Sequence, residues 1–229
     1  MADSTERLRN LLEMASEEDL QVLAEYLFGK GCQKKTVDEI IAKLRYYGSN
    51  DIKSLIVGRV HYLTIVKDIA EKMNVNKNSI KQAADEEQLE VLIVLAAFKK
   101  VLKKMSPADR KRIQKEIEDS GFKGYDFQKD IPWGAVLALI TSGLGAILIR
   151  KITAFIVLVI TREMIVGGVA ARLAQRVAGV VFGPIGVSVS IGWIIADIAG
   201  PAYRKTIPAV LHIAFIKQNN KLAQMRVEQ

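Results

Sequence analysis

Apolar residues recur at intervals of three and four from the N-terminus onward, the spacing of helices rather than strands. Leu8, Leu11 and Leu12 share one face of a short helix that Asp3 is placed to cap. The stretch SEED, Ser16–Asp19, reads as a capping box that satisfies the free amides of a helix carrying Leu20, Leu23, Leu27 and Phe28. GKG, Gly29–Gly31, ends it. A second capping box, TVDE at Thr36–Glu39, opens a helix with Ile40, Ile41 and Leu44, which Gly48 is expected to stop. From Asn50 or Asp51 the same spacing runs through Ile52, Leu55, Ile56, Val60, Leu63, Val66, Ile69 and Ala70. After a polar break at Asn74–Ser79, one long helix is predicted from about Ile80 to Met105. Ser106 and Pro107 form an N-cap with proline in the first helical position, and the helix they open ends at SGFKG, Ser120–Gly124. No stretch sustains a period of two, so almost no sheet is expected.

The pattern then changes. Ile131–Ile149 is nineteen residues without a charge, and Val177–Ala196 is twenty. A membrane span needs roughly 20 mainly apolar residues. Nine Leu, Ile and Val residues in the first run favour insertion by about 3–5 kcal/mol before its Gly, Ser and Thr penalties. The second run mixes β-branched residues with Gly179, Gly183, Gly186 and Gly192, a poor helix in water. In lipid, small residues let helices approach closely. Gly143 and Gly145 of the first run, with Leu139 at its middle, are therefore expected to pack against Gly179, Gly183 and Gly186 of the second. Trp133 and Trp193 belong to the same two runs.

Between the runs lies Arg150–Arg176. As one helix it sets Lys151, Arg162, Arg172 and Arg176 within about 80° of one another, a basic stripe suited to a membrane interface or to the solvated face of a core helix. Gly167–Gly168 is a candidate break. Two simple spans with both termini in the cytoplasm would export this basic segment, which the distribution of charge across membranes disfavours. Three arrangements remain open at this point: stable membrane residence, conditional insertion of a buried hairpin, and a soluble protein with a very apolar core.

Charge sharpens the contrast between the halves. Residues 1–130 hold 23 Lys/Arg and 22 Asp/Glu, whereas residues 131–229 hold 10 and 3, so nearly all of the net +8 sits in the apolar half. Basic charge beside apolar surface suits anionic lipid headgroups. Nucleic acid is not the expected partner, because the denser basic patches with aromatic or polar readout residues are missing. The N-terminal sequence MADSTERLRNLLEM has no apolar core of a signal peptide, which places the N-terminal half in the cytoplasm, at the inner membrane if the apolar runs engage it.

Candidate chemistry is sparse. One cysteine, Cys32, excludes an internal disulfide framework, and it has no histidine near it in sequence. His61 and His212 are the only histidines, and no ligand spacing for a metal is present. No phosphate-loop pattern occurs. The acidic cluster DEEQLE, Asp85–Glu90, complements the dipole of a helix start. No catalytic residue, cofactor or metal is predicted, and the chain is expected not to be an enzyme.

Two stretches carry a family resemblance. LRYYGSNDIKSLIVGRVHYLTIVKDIAEKMNV, Leu44–Val75, and AYRKTIPAVLHIAFI, Ala202–Ile216, resemble the bacterial YaaW-like family; LLEMASEEDLQVLAEYL is similar to its N-terminal helix pair. In the second stretch Tyr203, Arg204, Thr206, Ile207, Pro208, Ala209, Val210 and Leu211 all fit. The resemblance implies an uncharacterised family, sometimes labelled ubiquinol–cytochrome c chaperone-like, and brings no catalytic residues. Tyr203, Arg204 and Pro208 are read as structural, with Pro208 in the first turn of a helix and Arg204 just ahead of it.

The expectation is an all-α protein: a soluble helical bundle over residues 1–128, a glycine-rich apolar helical module over 129–216 that engages membrane, and a basic tail over 217–229. Ser120–Asp130 is expected to link the first two. The leading function is a non-enzymatic, membrane-associated protein whose hydrophobic hairpin inserts or oligomerises and permeabilises anionic membrane. The alternative is a soluble chaperone-like or assembly factor holding a hydrophobic client.

Overall fold

The computed structural model describes residues 3–51, 60–129, 131–164, 168–178 and 200–227. Among these, every regular element is a helix. They are α1 (Ser4–Glu13), α2 (Glu17–Phe28), α3 (Val37–Asp51), α4 (Tyr62–Lys72), α5 (Lys77–Gln82), α6 (Glu86–Lys104), α7 (Pro107–Asp119), α8 (Trp133–Thr141), α9 (Gly143–Met164), α10 (Gly168–Ala178) and α11 (Tyr203–Val227).

Local chemistry fixes most of the starts. Ser16 Oγ accepts from Asp19 N at 3.2 Å and begins α2. At α3 the capping box is reciprocal: Glu39 N donates to Thr36 Oγ1 at 3.2 Å and Thr36 N donates to Glu39 Oε2 at 2.9 Å. Ser106 caps α7 with Pro107 behind it. Gly48 behaves differently from its expected role. The α3 helix continues through it to Asp51, and a Cβ at 48 would lie 2.6 Å from Ile65 Cγ1. Glycine here admits α4 rather than stopping α3. The long helix predicted over 80–105 is divided into α5 and α6, because Asp85 turns out to be an N-cap, its Oδ1 accepting from Gln88 N at 2.9 Å.

The centre of the molecule is built from the C-terminal half. Residues 152–161 of α9 and 206–216 of α11 are buried without interruption. A helix buried on all sides is apolar all round, which accounts for the charge-free centre of α9. Its two threonines are satisfied inside the helix: Thr153 Oγ1 donates to the Ile149 carbonyl and Thr161 Oγ1 to the Val157 carbonyl, both at 2.7 Å. The α11 helix packs on α9, α2, α3, α6 and α4, and α9 packs on α8, α6, α10 and α2 as well. One hydrophobic cluster therefore runs from Leu8 to Ile216 and crosses the expected boundary at 128/129. The expected linker contributes to it: Phe122 and Phe127 are buried, and Phe127 meets Phe98 edge-on at 5.7 Å between ring centres. Of the basic tail expected over 217–229, the described part, 217–227, continues α11.

Candidate membrane-contact site and its polar fastenings

The uncharged run Ile131–Ile149 is not one helix. It bends at Ser142, whose backbone is extended between α8 and α9. Ser142 Oγ accepts from Gly145 N at 3.0 Å and its carbonyl accepts from Ala146 N at 2.9 Å, so the serine closes α8 and caps α9. Gly145 is required by the bend: a Cβ there would sit 2.6 Å from Leu139 Cα, while Leu139 itself is fully buried. Among the described residues nothing lies within 4 Å of where a Cβ at Gly143 would sit, and its expected packing partners Gly179, Gly183 and Gly186 fall outside them. Trp133, at the start of α8, is half-buried.

The bend carries an apolar surface. Leu144 is 63% exposed and Ile147 is 45% exposed, one turn apart at the start of α9. Ala138, Thr141, Ser142 and Gly143 are exposed as well, so the bend itself contributes no charged residue; Lys221 Nζ lies 3.4 Å from the Ile140 carbonyl behind it, and Lys151 follows one turn beyond Ile147. The other end of α8 borders a groove holding Lys99, Lys100, Lys103 and Lys129. Over Gly143–Arg162, α9 is long and apolar enough to cross a membrane, yet 72% of that stretch is buried in the bundle. A core helix of a soluble protein meets the same criteria of length and composition.

The predicted basic stripe is split between two helices. Lys151 is half-buried and Arg162 exposed on α9. Arg172 and Arg176 lie on α10 and turn toward α2. Arg172 Nε lies 2.9 Å from Glu18 Oε1, and Arg176 reaches Asp19, Glu18 and Ser16. These two guanidiniums fasten α10 to the N-terminal helices.

Asp19 is the hub of that fastening. Its Oδ1 accepts from Arg176 and lies 3.0 Å from His212 Nε2, and its Oδ2 accepts from Ser16 Oγ at 2.6 Å. Burial pushes its carboxyl up, but the hydrogen bonds from His212, Arg176 and Ser16 outweigh burial and hold it well below the ordinary carboxylate range. His212 is fully buried, with Tyr26 edge-on at 5.9 Å and Phe215 at 5.7 Å. The Tyr26 hydroxyl closes the chain of contacts at 2.9 Å from Thr161 Oγ1 of α9.

A second buried network ties α11 to α6. Glu90 Oε1 accepts from Tyr62 Oη at 2.8 Å and from Lys217 Nζ at 2.9 Å. Lys221 Nζ donates to Glu87 Oε1 at 2.9 Å, and Arg7 holds Glu86 with two hydrogen bonds of 2.7 Å. Burial pushes the Glu90 carboxyl up against the pull of Lys217 and Tyr62; burial pushes the Lys217 ammonium down, and Glu90 together with Glu86 and Glu87 hold it up overall. The acidic stretch Asp85–Glu90 thus does more than complement a helix dipole.

The tail motif separates in three directions. Tyr203 Oη donates to Asp68 Oδ2 at 2.7 Å, and its ring lies under Lys72 at 5.4 Å. Arg204 is exposed. Pro208 is buried inside α11 rather than in its first turn, because the helix already starts at Tyr203. Gly179, Gly183, Gly186 and Trp193 lie outside the described residues.

Sequence reasoning gave Asp19, His212 and Glu90 only local roles (the end of a capping box, an isolated histidine, an acidic helix start) and did not single out Lys217. Their only signal was polar residues inside apolar helical patterns, and their partners are far off in the chain. It also passed over Leu144 and Ile147, which look like any other member of the apolar run.

No protein-family model and no solved structure matches the chain. It is 26% identical over 195 residues to a UPF0174 protein of Helicobacter pylori (strain J99), covering 82% of this chain and 74% of that protein. The similarity supports a relationship to an uncharacterised bacterial family. It gives no support to the YaaW-like label.

Proposed function

We propose that the protein is a non-enzymatic, membrane-associated helical protein that docks on anionic membrane through the α8–α9 corner. The observation that carries this reading is the pair Leu144 and Ile147, exposed on an uncharged bend. Large exposed apolar side chains grouped together mark contact surfaces. The lysines bordering α8 supply the charge that favours an anionic surface. Behind the corner, α9 is apolar enough to enter the bilayer once its bundle contacts open, which is the route to insertion, self-association or permeabilisation.

A second reading follows from the burial of α9: the protein stays in solution and the same corner holds an apolar client as a chaperone-like assembly factor. Co-sedimentation with vesicles containing phosphatidylglycerol separates the two. The wild-type chain is expected to pellet with anionic vesicles at low salt, and Leu144→Glu with Ile147→Glu to leave it in the supernatant with its helical content unchanged. A wild-type chain that ignores the vesicles ends the membrane reading. Dye leakage from the same vesicles tests permeabilisation.

A further inference from the structure

We propose that the groove between α6, the turn after α4 and the start of α8 is a binding site for one anionic phospholipid, taken head-first; this rests on the membrane reading above. The groove has two chemically distinct parts. Lys99, Lys100 and Lys103 from the end of α6 and Lys129 from the segment before α8 all line it; no Asp or Glu lines the groove itself, although Lys129 Nζ also lies 3.4 Å from the partly exposed Asp126 Oδ2 outside it, a surface pair that a bound phosphate has to compete with. Its floor is apolar: Leu92, Leu95, Phe127 and Val136 line it and are buried. A basic rim over an apolar floor is the complement of a phosphate followed by acyl carbons. Ammonium groups bind phosphate as compact point charges, which tolerates a headgroup of variable geometry.

The size of the groove narrows the ligand. Its volume is about 200 Å³, below the roughly 300–1,000 Å³ of pockets that enclose a whole small molecule. It therefore holds the phosphate and the first carbons, and the remainder of the lipid stays outside. The position agrees with this, because Val136 in the floor of the groove and the apolar corner at Leu144 belong to one short element, α8 and its bend. A bilayer that receives the corner would present a headgroup to the groove.

The test uses the full chain and a monomeric lipid, so that docking on a surface is not needed. Dihexanoyl phosphatidylglycerol below its micellar concentration is titrated by calorimetry, with dihexanoyl phosphatidylcholine and inorganic phosphate in parallel. Saturable one-to-one binding of the glycerol lipid alone is expected. Lys103→Ala with Lys129→Ala should weaken it about twenty-five-fold, at about fivefold per lysine. Lys34→Ala with Lys111→Ala, the same change of charge elsewhere, should leave it unaltered. Ala96→Trp, which fills the groove without touching a charge, should abolish it. No saturable binding, equal binding of the choline lipid, displacement by phosphate at equal concentration, or full affinity in Ala96→Trp would each overturn the proposal. Leu144→Glu with Ile147→Glu keeps monomer binding while losing vesicles, so failure of the groove and failure of the corner give different results.

Discussion

His212 Nε2 and Asp19 Oδ1 stand 3.0 Å apart although 193 residues separate them in the chain. The contact joins the second helix to the last one, and Arg176 of α10 converges on the same oxygen. A buried carboxylate is tolerable only with such partners, so the site holds three segments in register at once.

Asp19→Ala is therefore expected to lower stability by about 1–3 kcal/mol, since it leaves the buried His212 without its acceptor. The effect has a definite pH dependence. The folded carboxyl titrates below its ordinary value of 3.8, so its contribution is fully present above that value and lost as the pH falls through the folded pKa. Thermal melts should show the gap between wild type and Asp19→Asn closing only below about pH 4. A gap that stays constant into strong acid would show that the carboxylate charge is not what stabilises.

Lys217→Met tests the other buried network, with the opposite sign. Without the ammonium, Glu90 keeps Tyr62 as a donor, faces the like charge of Glu86, and is raised further by burial. A carboxyl raised above its ordinary value of 4.5 stabilises the fold at low pH and loses that stability as pH rises through the folded pKa. The variant should be weakened by about 3–5 kcal/mol at neutral pH and recover toward mildly acidic pH in urea titrations. Adding Glu90→Gln should flatten that profile.

Much of the fold was legible because caps and spacing are local. Ser16, Thr36, Ser106 and Pro107 act where their neighbours in sequence say they should. What was not legible depends on distant atoms. Gly48 reads as a stop until Ile65 is seen against it. Asp19 reads as the last residue of a capping box until His212 and Arg176 arrive from the other end of the chain. The same blindness affects the apolar run: Leu139 and Leu144 are alike in sequence, and only the bend at Ser142 sends one into the core and leaves the other outside.

The bend itself makes a paired prediction. Gly145→Ala forces a methyl against the backbone of Leu139, where no side chain can yield, and overpacking of this kind costs about 1–3 kcal/mol. Gly143→Ala meets nothing within 4 Å among the described residues and exchanges glycine for a better helix former, so it should be neutral or gain up to about 1 kcal/mol. Chemical denaturation of the two variants side by side gives both signs. Equal losses would mean that the two glycines share one role.

Composition marks a step near residue 128, but the core does not respect it. A chain ending at Gln128 would lose α8, α9 and α11 and expose the faces of α2, α4 and α6 that pack on them. Phe98 would lose Phe155, whose ring centre lies 6.1 Å away. Such a truncated chain is expected to lack a cooperative thermal transition and to aggregate, while the full chain melts in one step. A soluble, cooperatively folding fragment 1–128 would show instead that the N-terminal helices form an autonomous domain.

Position 139 shows why the membrane reading must be tested elsewhere. Within a bilayer, Leu139→Arg would oppose insertion by about 2.5–3.5 kcal/mol. In the folded bundle Leu139 is fully buried beside Gly145, in contact with the α9 side of the bend. Glu87 lines the same cavity as Leu139 but is already paired with Lys221, so an arginine at 139 must compete for it, be desolvated, or break the α8–α9 packing. Loss of membrane binding in Leu139→Arg would therefore accompany loss of the fold and carry no information about lipid. Leu144→Arg makes the same chemical change where the side chain already meets solvent. Circular dichroism should find Leu139→Arg largely unfolded or strongly destabilised and Leu144→Arg close to wild type. If Leu144→Arg retains its fold and still pellets with phosphatidylglycerol-containing vesicles as fully as wild type, even at a salt concentration that screens the added charge, Leu144 does not enter the bilayer, and the corner is not the contact surface.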